Sequence, residues 1–142
     1  MAKELCATME LANERVRFRA QVEGQSPISV DYVPPLGDGQ GYTSLELLLI
    51  SMGSCLGTGI KAIVEGRMKK PVRALSVRAS GTRREAHPTS FESVRLALRL
   101  DAPGLEPAEL EGAIRAAEGN VCPVLAMVKG NTRLDISYEL NG

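Results

Sequence analysis

Between Thr43 and Gly66 the chain carries a run in which Leu45, Leu49, Met52, Leu56, Ile60 and Ile63 recur at helical spacing, while Leu47, Leu48 and Ile50 fill other sides of the same cylinder. A helix apolar nearly all round is a central, buried one, and the rest of the fold must be built to cover it. Gly53, Gly57 and Gly59 interrupt it at a cost of about 1 kcal/mol each relative to Ala, which implies that another helix or chain approaches closely there. Thr43 or Ser44 offers an N-cap, and Pro71 lies just past the basic run Arg67–Lys70 that closes the helix.

Around this helix the pattern is of period two. Every even position from Arg15 to Glu23 is apolar, Leu5 to Leu11 is a weaker strand, and Ile28, Val30 and Tyr32 alternate after a break at Gln25-Ser26-Pro27. Three short antiparallel strands follow, with Asn13-Glu14 as a hairpin turn. Val33–Gly41 is a loop rich in proline and glycine. Beyond the helix, Leu75, Val77 and Ala79 form one strand and Val94, Leu96, Leu98 and Leu100 another, joined by a turn from Glu85 to Ser90. Pro107 opens a second helix that ends near Gly119-Asn120, Pro123 to Lys129 is a short third helix, and Leu134, Ile136, Tyr138 and Leu140 are a last strand. The order predicts an α+β fold with antiparallel sheets. At 142 residues it is one domain spanning 1–142, large enough to build a core without disulfides or metal.

Seventeen basic residues balance seventeen acidic ones, which excludes the concentrated positive field of a non-specific nucleic-acid binder. The N-terminus lacks the apolar segment of a secretory signal, and Leu45–Ile60 is shorter than a membrane span. A soluble, cytoplasmic protein with no nucleic-acid or membrane partner is expected.

Three cysteines, Cys6, Cys55 and Cys122, are widely spaced with no CxxC. Cys55 sits mid-helix among small residues, as a buried structural thiol would. Cys122 precedes Pro123 at the start of a helix, where backbone N–H groups favour a thiolate; alternatively it is a capping or packing residue. Cys6 has nothing nearby to activate it. His87 falls in a turn before Pro88, where a solvated side chain is the ordinary outcome, and no short ligand spacing supports a zinc site. No nucleotide-binding or serine-esterase motif occurs, so no metal and no organic cofactor is expected.

Glu46 is the one charge in the apolar run. A first-turn glutamate answers the helix dipole; alternatively it pairs with an arginine of the Arg15-Val16-Arg17-Phe18-Arg19 strand, and a guanidinium held in this way draws a thiol toward thiolate. Nine positions separate Glu46 from Cys55, half a turn out of phase and about 13 Å along an ideal helix. A shared site therefore needs Glu46 from a second chain, or a glutamate lying in the loop before the helix proper.

Thr43-Ser44-Leu45-Glu46-Leu47-Leu48-Leu49-Ile50-Ser51-Met52-Gly53-Ser54-Cys55, with Asn120-Val121-Cys122-Pro123-Val124 far downstream, resembles the OsmC/Ohr family of osmotically induced and organic hydroperoxide resistance proteins. The glutamate spacing is closer to the OsmC-like branch than to the peroxidase branch. The resemblance covers nearly the whole chain and implies an OsmC-like fold with a long central cysteine-bearing helix, in an intertwined homodimer with active sites at the subunit interface. It implies further that Cys55 attacks an organic hydroperoxide and becomes a sulfenic acid, that Cys122 resolves it to a disulfide, and that a dithiol reductant, lipoyl-type or other, reopens the pair. Glu46 and Arg17 would set the thiolate and orient the substrate. Arg17 is favoured because it precedes the core residue Phe18, with Arg15 and Arg19 as alternatives. Two rival readings are a non-enzymatic dimer that binds a small hydrophobic ligand and a redox-sensing thiol switch.

Overall fold

A computed structural model describes residues 3–142, which divide into two compact units, one extending to Leu48 and the other running from Leu49 to Gly142. The first contains a three-stranded antiparallel sheet, β1 (Thr8–Leu11), β2 (Phe18–Gln21) and β3 (Ile28–Val30), in that spatial order. The pairings Met9↔Ala20↔Ile28 and Leu11↔Phe18↔Val30 gather every apolar strand residue on one face. Strand β2 starts later than its alternation suggests. Asn13 Oδ1 accepts the Arg15 and Arg17 amides at 3.0 and 3.1 Å, and Ala12 N–H donates to Arg17 C=O at 2.7 Å, so residues 13–17 form a wide turn instead of strand. At the other end β3 stops at Val30, before Tyr32, because the Asp31 amide donates to Tyr42 C=O and the chain leaves the sheet.

Helix α1 spans Ser44–Gly66, and the division between the units falls inside it. Reciprocal bonds start it: Thr43 N–H donates to Glu46 Oε1 at 2.8 Å and Glu46 N–H to Thr43 Oγ1 at 3.2 Å, a capping box. The helix ends at Gly66, so the basic run Arg67–Lys70 lies beyond it. Burial is one-sided: Met52, Leu56, Ile60, Ile63 and Val64 are in the core, while Ile50 remains 49% exposed and the leucines of the first two turns are half-buried. At 23 residues α1 is long and apolar enough to cross a membrane, contrary to the shorter stretch expected, and 44% of its 18-residue apolar window is buried within the protein. Of the glycines, Gly59 meets another helical segment as expected, whereas Gly53 and Gly57 meet a strand instead. Gly53 and Gly57 face Val77 of the chain's own sheet, and Gly59 faces Ala117 and Val121. Their neighbours are this chain's side chains.

That second sheet comprises β4 (Ala74–Arg83), β5 (Phe91–Asp101) and β6 (Arg133–Leu140) in the order β4-β5-β6. Strands β4 and β5 are an antiparallel hairpin, whereas β6 runs parallel to β5 with Leu96 opposite Ile136. The last strand is thus not antiparallel. The helical segment between β5 and β6 returns the chain to the starting edge, as a crossover does. Val94, Leu96, Leu98 and Leu100 supply the buried face of β5. The crossover holds α2 (Pro107–Ala116), then a π-helical turn (Ala117–Val121), then α3 (Pro123–Val128). The sequence pattern had extended α2 through the residues that form this turn.

Candidate active site

Cys55 lies midway along α1 and is half-buried. Cys122 is only 3% exposed and sits between the π turn and α3. Its N–H donates to Ala117 C=O at 2.8 Å, the five-residue reach that defines a π turn, after which the backbone opens to φ −81°, ψ 106°. The Cys122 sulfur then caps α3 by accepting the Leu125 N–H at 3.4 Å. Pro123 fills the first position of α3, where a missing N–H costs nothing.

Cys55 is near enough to Cys122 to act on its titration. Burial, first of all, pushes the Cys122 thiol above its ordinary range; the hydrogen bond and charge of Cys55 push the same way, and the Leu125 amide opposes them. The thiolate expected at Cys122 from its place at a helix N-terminus is therefore corrected. A six-residue helix offers a weak dipole, and loss of water around the sulfur outweighs it. Beside the pair is an open pocket of about 280 Å³, lined by Ser54, Cys55, Thr58, Gly59, Ala62, Val121 and Pro123. Its walls are small or apolar side chains, and Cys55 is the one thiol among them.

The other predicted residues lie elsewhere. Glu46 is exposed at the first turn of α1, and its carboxyl is held below the usual range first by the Thr43 amide and then by the Thr43 hydroxyl. Arg17 is half-buried, and among the described residues its guanidinium makes no hydrogen bond or ion pair. Its charge instead bears on Asp31. Arg15 reaches Pro35 C=O and Asp38, and Arg19 donates to Gln21. Glu46 and Arg17 are not ion-paired within the described chain. Cys6 is exposed, with its thiol 3.4 Å from Glu4 Oε1, and His87 is exposed in its turn. Among the described residues no cluster of three or more His, Cys, Asp or Glu side chains could hold a metal ion.

Residues 37–137 match the family model described as OsmC-like protein. The chain belongs to the OsmC-like protein family. Its fold is shared by a hypothetical protein from Aquifex aeolicus VF5 (29% identity, 98% of this chain and 97% of that chain, TM-score 0.85). An OsmC-like protein from Mycoplasma pneumoniae is similar at 20% identity over 99% and 97% of the two chains, with a TM-score of 0.81. An organic hydroperoxide resistance protein from Elizabethkingia anophelis is similar at 19% identity over 99% of both chains, with a TM-score of 0.73. No curated protein matches the chain.

The OsmC-like match contains Glu46, Cys55 and Cys122 but stops short of Arg17 and of Asp31. Asp31 was missed by sequence reasoning. It is 3% exposed, the one buried charged side chain among the described residues of this OsmC-like protein. Its carboxylate accepts the Tyr32 amide at 2.7 Å on one oxygen and the Gln40 and Asp38 amides at 3.0 and 3.3 Å on the other. The Gln40 amide leads in holding its carboxyl below the usual range, and Arg17 adds to it. The only sequence signal was an acid between apolar residues at the start of a Pro/Gly loop.

Proposed function

We propose that this OsmC-like protein reduces organic hydroperoxides with a two-cysteine cycle. The observation that carries the reading is the asymmetric thiol pair: Cys55 opens onto a small apolar pocket, while its neighbour Cys122 is buried with its pKa raised. Cys55 as thiolate attacks the terminal peroxide oxygen, forming an S–O bond as the O–O bond breaks, and the alkoxide leaves as alcohol after taking a proton. Cys122 then attacks the sulfenic sulfur, and the S–S bond forms as hydroxide departs with the Cys122 proton as water. An external dithiol, lipoyl-type or similar, returns both thiols by exchange. The similarity to a protein named for organic hydroperoxide resistance supports this substrate class.

Glu46 and Arg17 complete the proposed site as the groups that orient the peroxide and favour the Cys55 thiolate. Glu46 is part of α1 itself, at its first turn, which favours a glutamate from a second chain over one in the preceding loop. Half a helical turn then separates it in phase from Cys55, and a second copy would supply it. A homodimer also suits the apolar face of the first sheet, where Met9, Leu11, Phe18 and Ile28 are all at least 38% exposed.

The test is to add one equivalent of cumene hydroperoxide to the reduced protein, block free thiols and map the peptides by mass spectrometry. A fast, near-complete Cys55–Cys122 disulfide is expected. Two free thiols beside unconsumed peroxide would overturn the cycle and leave the pocket as a binding site.

A further inference from the structure

A carboxylate removed from water costs free energy unless hydrogen bonds replace the lost solvation. Asp31 meets that requirement with three backbone amides, all from the loop it begins. The loop is moulded around the carboxylate so closely that a Cβ on Gly37 would overlap the Asp31 side chain and the Tyr32 carbonyl. From there the loop grips the β1–β2 turn. Asn13 Nδ2 donates to Asp38 Oδ2 at 3.0 Å, Arg15 Nη1 to Pro35 C=O at 2.9 Å, and Arg15 Nε lies 3.6 Å from Asp38 Oδ1. Asn13 in turn holds the Arg17 amide. The turn so clasped ends on Arg17, a half-buried guanidinium with five donors and no acceptor among the described residues.

We infer that Asp31 is a positioning residue: by organising the 31–41 loop it clamps the Asn13–Arg17 turn and holds the Arg17 guanidinium free of hydrogen bonds and ready for an anionic or peroxidic oxygen. The catalytic consequence rests on the proposed peroxidase role of Arg17; the clamp itself does not.

The test therefore has two readouts. Phenylglyoxal labelling, mapped by mass spectrometry, compares Arg17 with Arg19 as the internal reference. Asp31→Asn should raise the Arg17 to Arg19 labelling ratio several-fold, and an unchanged ratio overturns the clamp. Asp38→Ala, which cuts the link between loop and turn but leaves the Asp31 amide bonds, should raise the same ratio; it decides the matter if Asp31→Asn does not fold. The second readout is the rate constant for Cys55 oxidation by cumene hydroperoxide. Asp31→Asn should lower it roughly 10-fold through misplacement of Arg17, and should cost nothing further in an Arg17→Ala background. An equal loss in both backgrounds would make Asp31 merely structural and overturn the inference. A raised labelling ratio with wild-type oxidation in Arg17→Ala would instead remove Arg17 from the peroxidase reading while the clamp stands.

Discussion

The Leu125 amide donates to the Cys122 sulfur at 3.4 Å, so one residue caps α3 and also holds a thiol whose pKa is raised by burial and by its neighbour Cys55. Under the proposed cycle this arrangement divides labour: a protonated, buried thiol is a poor first nucleophile and would serve to capture a sulfenic acid on Cys55, which is half-buried and lines the pocket.

Cys122→Ser should consume about one equivalent of peroxide per chain and then stall, with sulfinic and sulfonic acid accumulating on Cys55. Cys55→Ser should consume none. Mass spectrometry of intact protein reads both outcomes, and sustained turnover by Cys122→Ser would remove the resolving role.

The raised pKa of Cys122 has a consequence for stability. Its proton is held more tightly in the folded chain than in the unfolded one, so its contribution is fully present below the ordinary thiol value of 9.0 and is lost as pH rises through the higher folded value. The urea midpoint should fall as pH climbs above about 9, and the fall should be shallower in Cys122→Ser. Tyr138, raised chiefly by its hydrogen bond to Glu111, has the same sign but acts from 10.0 upward, which the variant leaves in place.

Much of this architecture was legible because it rests on local periodicity. The alternation at Val94, Leu96, Leu98 and Leu100 marks the buried face of β5, and Pro123 marks the start of α3. Other features depend on contacts that no local pattern encodes. The π turn is a one-residue shift in the partner of the Cys122 amide, with no residue type that demands it. The parallel pairing of β6 follows from the path of the crossover, and the nearness of Cys55 to Cys122 joins segments distant in sequence, where Gly59 of α1 faces Ala117 and Val121 of the π turn. The donors that hold the Asp31 carboxylate are backbone amides, which nearly every residue possesses.

Glu46 has a structural role that is separable from any catalytic one. Glutamine at the third position of a capping box still accepts the Thr43 amide, so Glu46→Gln should keep α1 intact while removing the charge. Thr43→Ala removes the cap and should destabilise by about 1 kcal/mol. If Glu46 orients the peroxide, Glu46→Gln slows Cys55 oxidation at an unchanged urea midpoint; an unchanged rate would confine Glu46 to capping. Because Thr43 lowers the Glu46 pKa, this carboxylate's contribution to stability is present above its ordinary value of 4.5 and fades as pH falls through the lower folded value.

The glycines of α1 separate two explanations for a helix that tolerates poor helix formers. If a second chain pressed on Gly57, any side chain there would be costly. The space beside it is instead bounded by Val77 Cγ2 at 3.6 Å and Leu75 Cδ2 at 3.7 Å from the position a Cβ would take, which is ordinary van der Waals contact. Alanine therefore fits, fills the groove against β4 and recovers helix propensity, so Gly57→Ala should raise stability by up to about 1 kcal/mol. Leucine at the same position has no such room and should destabilise by about 1–3 kcal/mol through overpacking. Both are read from urea midpoints at constant protein concentration. A loss of stability in Gly57→Ala would mean that something beyond this chain's own sheet presses on the helix, and would return the glycines to a subunit contact.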